Sequence, residues 1–201
     1  MEAMSCQTTR GYLKLYLGPM FAGKTSAIVQ NYRRYTHAKK RVIVINHSLD
    51  KRYSKTHLST HDGIEIPCIF TSSLSLLNLS VEIEYDIILI NEGQFFPDLV
   101  DTVLNWTENM NKAVYVCGLD GDSNRQPFGE ILRLLPYADD YEKLTSICEL
   151  CGKSAPFTYR NPETSNGETI QIGVNEFKPL CRVCFIEQSL QHKIYTVQRE
   201  K

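Results

Sequence analysis

The sequence predicts an α/β fold: a mainly parallel sheet with helices on both faces and a small cysteine-stapled module after it. Three observations predict it. Short, near-continuous apolar runs alternate with longer amphipathic stretches, the pattern of strands buried on both faces and joined by crossover helices. A glycine-containing turn links the first apolar run to the first amphipathic stretch. Two C-x-x-C pairs stand beyond residue 145, where the apolar periodicity stops.

In chain order, YLKLYLG (12–18) predicts a strand and KTSAIVQNYRRYTHAKK (24–40) a helix. In that helix Ile28, Tyr32 and Tyr35 recur at spacings of four and three, and the C-terminal end is basic, as a helix dipole favours. RVIVINH (41–47) is a buried-type strand, SSLSLLNLS (72–80) a short helix and EYDIILIN (84–91) a second buried strand. PDLVDTVLNWTENMN (97–111) predicts a helix whose first turn accepts Pro97 and whose stripe is Leu99, Val103 and Trp106. KAVYVCGLD (112–120) predicts another strand and GEILRLLPYA (129–138) another helix. The stretch RNPETSNGETIQIGVNEFKP (160–179), between the cysteine pairs, is polar and reads as a loop. The expected divisions are a flexible N-terminus over 1–10, an α/β domain over 11–144, the cysteine module over 145–187 and a frayed tail over 188–201.

Composition narrows the partners. A chain of 201 residues with 42% hydrophobic content supports one substantial core and a small appendage. A net charge of −1 argues against a dedicated nucleic-acid binder. No apolar run approaches the roughly 18 residues of a membrane span, and the N-terminal stretch lacks the basic and apolar regions of a secretory signal. Seven cysteines, four of them in C-x-x-C pairs, fit metal ligation in a reducing compartment better than a disulfide framework. A cytoplasmic protein with no membrane or nucleic-acid partner is expected.

Four constellations carry chemistry. GPMFAGKT fits G-x-x-x-x-G-K-[ST] between a strand and a helix, a P-loop. Its backbone (Gly18, Pro19, Met20, Phe21, Ala22, Gly23, with Ser26 just beyond) can cradle phosphates at the positive end of the helix. Lys24 then neutralises the β/γ-phosphates of ATP, and the Thr25 hydroxyl is placed for Mg²⁺. The fold class is accordingly P-loop NTPase-like. Cys148, Cys151, Cys181 and Cys184 have the spacing of a closed tetrahedral Zn²⁺ site with a structural job. They pin the loop between them into a lasso able to lie over a neighbouring site. The stretch ILINEGQFF (88–96) ends an apolar strand in Asn91 and Glu92. Adjacent residues point to opposite faces, so Asn91 can face the P-loop and, with Thr25, Mg²⁺ while Glu92 faces an acceptor as general base. DKRYSKTHLSTHD (50–62) is a polar loop holding Asp50 and Arg52, the arginine suited to clamping phosphate charge.

Taken in order, GPMFAGKT, Asp50–Tyr53 with THD, EGQFF (92–96), GLDGD…PFG (118–129) and the paired C-x-x-C motifs resemble type II thymidine kinases over about residues 12 to 185. The resemblance implies ATP-dependent, Mg²⁺-assisted phosphorylation of the 5′-hydroxyl of thymidine. It implies Glu92 as general base, Lys24 and Thr25 on the donor phosphates and metal, and Asp50 and Arg52 organising charge. Met20, Phe95, Leu119 and Phe128 become apolar walls for the nucleoside. Backbone near Thr158, Ile172 and Gly173 reads the base, with Phe177 packed on the nucleoside. A homotetramer and feedback inhibition by thymidine triphosphate (dTTP) are also implied. The sequence departs from the family pattern at Asn91, where Asp is usual, at Ser123, where an aromatic is frequent, and in a lasso one residue shorter with Val174 for glycine. Two other readings compete: a P-loop protein whose zinc module binds nucleic acid, and a degenerate regulatory relative without turnover. The first is weakened by Lys153, Arg160 and Lys178 being matched by Glu163, Glu168 and Glu176.

Overall fold

The structure, a computed structural model, describes residues 10–50, 56–60, 63–161 and 176–199, with the backbone alone at residue 79 and over 193–199. Arg52, Ile172 and Gly173, and the N-terminus through residue 9, lie outside the described residues. The α/β domain runs β1 (Tyr12–Leu17), α1 (Lys24–His37), β2 (Val42–His47), β3 (His57–Ser59), β4 (Glu65–Pro67), β5 (Ile69–Thr71), α2 (Asn78–Glu84), β6 (Ile87–Ile90), α3 (Leu99–Leu104), β7 (Ala113–Gly118) and β8 (Asp140–Lys143). The module runs β9 (Ser146–Ile147), β10 (Ser154–Ala155), β11 (Phe157–Arg160), β12 (Phe177–Leu180) and α4 (Arg182–Arg199).

Six strands form one sheet in the order β5-β2-β6-β7-β1-β8, and every pairing in it is parallel. Alternation along each strand divides two apolar layers. Ile28 and Val29 of α1 cover Tyr16, Val44, Leu89, Tyr115 and Cys117 on one face. On the other, Leu99, Val103, Trp106, Ile131 and Leu134 cover Leu15, Ile45, Ile90 and Val116. Trp106 is fully buried and still satisfies its indole N–H on Asn78 Oδ1 at 2.8 Å. All the parallel strands end on the same edge, where ligands of open α/β sheets bind.

Several expected elements take other forms. The helix expected over 129–138 is a 3₁₀ turn over Ile131–Tyr137, since Pro136 offers no N–H for an α-helical bond. The helix expected over 97–111 loosens after Leu104 into a π turn over Asn105–Asn109, where the Thr107 hydroxyl bonds back to Val103 O at 2.9 Å. The polar loop after β2 contains a strand instead, because Leu58 is buried against Ile66 across the β3–β4 hairpin. Edge strand β8, DYEK, is exposed throughout and so shows no apolar period. After the last cysteines α4 runs on to Arg199, and Val183, Ile186 and Leu190 form an exposed stripe at helical spacing along it. Among the described residues no helix is long and apolar enough to cross a membrane.

The chain entering α2 is anchored by Asp98, which accepts from the Ser73 hydroxyl at 2.6 Å, Ser75 N–H at 2.9 Å and Leu74 N–H at 3.2 Å. Burial raises its pKa, but the three donors win and hold it below its ordinary 3.8. Because the folded value lies below the unfolded one, the stabilisation is full above pH 3.8 and is lost as pH falls through the folded pKa. Asp98→Asn should therefore cost about 1 kcal/mol at neutral pH. Urea unfolding at about pH 7 and about pH 3 should show a smaller acid-side loss in the variant than in the parent.

Candidate active site

The P-loop leaves β1 at Leu17 and enters α1 through Gly23, whose left-handed φ of 82° turns the chain into the helix. No side chain caps α1 and its first turn holds no acid, so its leading N–H groups keep their affinity for an anion. Lys24 Nζ rests on the carbonyl of Pro19 at 2.6 Å, inside the loop where donor phosphates would lie. Thr25 is half-buried and Ser26 exposed. Met20 N–H donates to the Thr158 hydroxyl of β11 at 3.0 Å, so the donor loop and the lasso module touch directly.

Glu92 follows β6 in a left-handed conformation (φ 53°, ψ 44°), which costs a non-glycine residue on the order of 1 kcal/mol. It does not stand alone: Gln94 Nε2 donates to Glu92 Oε2 at 2.6 Å, while Gln94 Oε1 accepts from Leu119 N–H at 3.0 Å. The N–H of Leu119 thus fixes which end of the Gln94 amide faces the acid. Gln94 is 4% exposed and boxed in. A Cβ on Gly118 would lie 2.4 Å from Gln94 Oε1, and one on Gly129 (φ +59°) 2.0 Å from the Gln94 carbonyl oxygen. Sequence reasoning missed Gln94; the available signal was an amide two residues beyond Glu92 inside an aromatic run.

Phe95 packs on Phe128, and Leu119 is tied to Glu92 through Gln94. Phe95 and Phe128 meet edge-to-face at 5.6 Å, both half-buried, and His47 backs Phe95 at 5.7 Å. Burial pulls the His47 pKa below its ordinary value, against the Ser72 backbone contact. Phe177 lines a cavity of about 580 Å³ with Phe21, Ile147 and Pro179. Thr158 is buried beneath the P-loop. The pair Asn91 and Asp50 enters a buried polar row at the ends of β6 and β2. Asn91 Nδ2 donates to Asn46 Oδ1 at 3.1 Å, and Asn46 Nδ2 donates to Asp50 Oδ2 at 2.9 Å. Asn46 was the second residue the sequence did not flag, although an amide closing a β-branched strand was visible.

The four cysteines converge, with every Sγ within 4.8 Å of the others and Cys151 to Cys181 at 3.6 Å. A tetrahedral Zn–S bond of about 2.3 Å puts sulfurs about 3.8 Å apart, so the set fits such an ion. The thiols divide as a shared charge demands. Against burial, the N–H groups of Cys181, Leu150 and Cys151 bring Cys148 down to about 6. Burial and the neighbouring thiols push Cys184 up to about 12. The module's own core is small: Ala155, Tyr159, Leu180 and Phe185 besides the cysteines. Arg125, at the tip of the segment between Gly118 and Gly129, stacks on Phe185 at 4.5 Å and so ties that segment to the module.

The comparisons with known proteins agree with this geometry. A family model described as thymidine kinase matches residues 11–185. A thymidine kinase of Yaba monkey tumor virus (strain VR587) is 40% identical over 177 residues, 88% of this chain and 96% of that one. One from Oryza sativa subsp. japonica is 37% identical over 192 residues, 92% of this chain and 70% of that one. One from vaccinia virus (strain Western Reserve) is 37% identical over 177 residues, 88% and 98%. A match that begins before β1, takes in the P-loop, Glu92 and all four cysteines, and ends in α4 leaves one conclusion: this chain belongs to the thymidine kinase family.

Proposed function

We propose that the chain transfers the γ-phosphate of ATP to the 5′-hydroxyl of thymidine. The observation that carries this is the pairing of an uncapped P-loop helix with an acid that follows β6 at the carboxyl edge of the same sheet and is oriented by Gln94. Glu92 takes the proton as the hydroxyl oxygen bonds to the γ-phosphorus and the bond to the β-phosphate oxygen breaks, releasing ADP. Lys24 leaves the Pro19 carbonyl for the phosphates, and the α1 N–H groups meet the charge that develops there. Phe95, Phe128, Leu119 and Met20 hold the nucleoside, and the lasso excludes water that would otherwise hydrolyse ATP.

The donor set suits Mg²⁺, with the Thr25 hydroxyl and Asp50 carboxylate as oxygen ligands; bound there it would neutralise phosphate charge. Zn²⁺ is the ion we assign to the cysteine cluster, on its all-thiolate set and spacing. The family resemblance adds a homotetramer, inhibition by dTTP and a cytoplasmic location. Sedimentation and inhibition assays test the first two. Incubating purified protein with γ-labelled ATP, Mg²⁺ and a panel of thymidine, deoxyuridine and deoxycytidine tests the activity. Labelled thymidine monophosphate is expected, and its absence under saturating substrates would remove the proposal.

A further inference from the structure

Four buried polar side chains cross the carboxyl edge of the sheet in a row. The Cys117 thiol of β7 donates to Asn91 Oδ1 at 3.0 Å, the Asn91 amide donates to Asn46, and the Asn46 amide donates to Asp50. Exposures are 0%, 2%, 1% and 7% in that order, so each bond acts where water competes little. Pairing of Ile45 with Ile90 and of Ile90 with Val116 puts Asn46, Asn91 and Cys117 next to one another across three strands. The β-turn bond from Asp50 N–H to His47 O folds the carboxylate back over Asn46.

The direction of the row is fixed from outside it. His47 N–H donates to Asn46 Oδ1 at 3.0 Å, so that oxygen is an acceptor independently of Asn91. The opposite end of the amide, Nδ2, is then the end that meets Asp50. Asn91 is held likewise, its oxygen toward the Cys117 thiol and its NH₂ toward Asn46. An amide is the side chain that accepts on one side and donates on the other. A carboxylate at 91 would have no proton for Asn46 Oδ1. It would draw the Asn46 NH₂ to itself, turn a carbonyl oxygen onto Asp50 and leave His47 N–H without its acceptor.

We propose that Asn46 and Asn91 are positioning residues for Asp50: they form a one-way hydrogen-bond relay that holds its carboxylate as a charged acceptor, and position 91 does not itself hold metal. The relay rests on the kinase reading, in which Asp50 serves Mg²⁺ and the phosphates. It also reverses the simple charge argument, by which an acid at 91 would tighten Mg²⁺.

The test compares the full chain with Asn46→Ala, Asn91→Ala, the double variant and Asn91→Asp. The readouts are thermal unfolding, kcat and KM for thymidine, and calorimetric binding of Mg²⁺ with a non-hydrolysable ATP analogue. Asn46→Ala should lower kcat about 10–100-fold with the thymidine KM within about twofold, since a misplaced group costs rate more than acceptor binding. It should weaken binding of the Mg²⁺–analogue complex by a similar factor. Asn91→Ala should act in the same direction by about 3–10-fold, and the double variant should equal Asn46→Ala, because the two residues act in series. Asn91→Asp should raise the Mg²⁺ concentration needed for half-saturation. Losses confined to thermal stability, additive effects, or a lowered Mg²⁺ requirement in Asn91→Asp would each overturn the relay. Wild-type protein that binds Mg²⁺ and analogue but phosphorylates no nucleoside would instead fail the functional reading, and the calorimetric arm would still decide the relay.

Discussion

Glu92→Gln is expected to lower kcat for thymidine by about 10²–10⁴-fold, the usual contribution of a positioned base. The replacement keeps the length of the side chain, its strained backbone and a partner for Gln94 Nε2, so little but the proton acceptor is lost. Binding of a non-hydrolysable ATP analogue should stay within about twofold, because the proposed hold on the donor phosphates is by the α1 N-terminus and Lys24 instead. Steady-state kinetics beside calorimetry separate the two. Turnover within tenfold of the parent would take Glu92 out of the reaction. Gln94→Ala should give a smaller loss in kcat, about tenfold, because water can replace part of one hydrogen bond while the acid stays in place.

Removing metal from the cysteine module is the second large effect. With a core of a few residues, the module has too little buried apolar surface to fold without a staple, and metal bound to four thiolates supplies on the order of 10 kcal/mol. Cys181→Ser, or prolonged chelation of the native protein, should expose residues 145–187 to protease and reduce thymidine turnover below about one per cent. The route is structural. The module brings Thr158 to the Met20 N–H, and Phe185 to Arg125 of the segment that ends at Phe128 and Gly129. The native chain should carry one Zn²⁺ per protomer by elemental analysis. Metal-free protein that resists proteolysis and turns over normally would sink the idea.

Much of this was legible in the sequence because the signals are local. The P-loop, the β-branched strands and the C-x-x-C pairs need only neighbours along the chain, and β1, β2, β6 and β7 fall where the apolar runs place them. What was not legible depends on neighbours across the sheet. β8 is an exposed, charged stretch held as a strand by backbone pairing with β1 and by the Lys14–Asp140 ion pair at 2.7 Å, neither visible in DYEK alone. Asn46 and Gln94 have roles only because Asn91 and Glu92 stand opposite or beside them. The helical spacing of Val183, Ile186 and Leu190 in α4 was present in the sequence, and was masked by the polar residues between them. Of the site, the four cysteines converge, Phe95 packs on Phe128, and Phe177 lines a cavity with Phe21.

The shelf around Gln94 has an evolutionary consequence. A single methyl added at Gly93 meets Val116 Cγ1 at 2.6 Å, and at Gly118 or Gly129 it meets Gln94 itself. Three codons around the Glu92–Gln94 pair therefore admit almost no stepwise drift. Phe95, Phe128 and Leu119, proposed above to hold the nucleoside, are each partly exposed and can change size without moving the acid. Variants with a new nucleoside preference should arise at those three rims, and selection experiments for altered acceptors should return them before any change in the shelf.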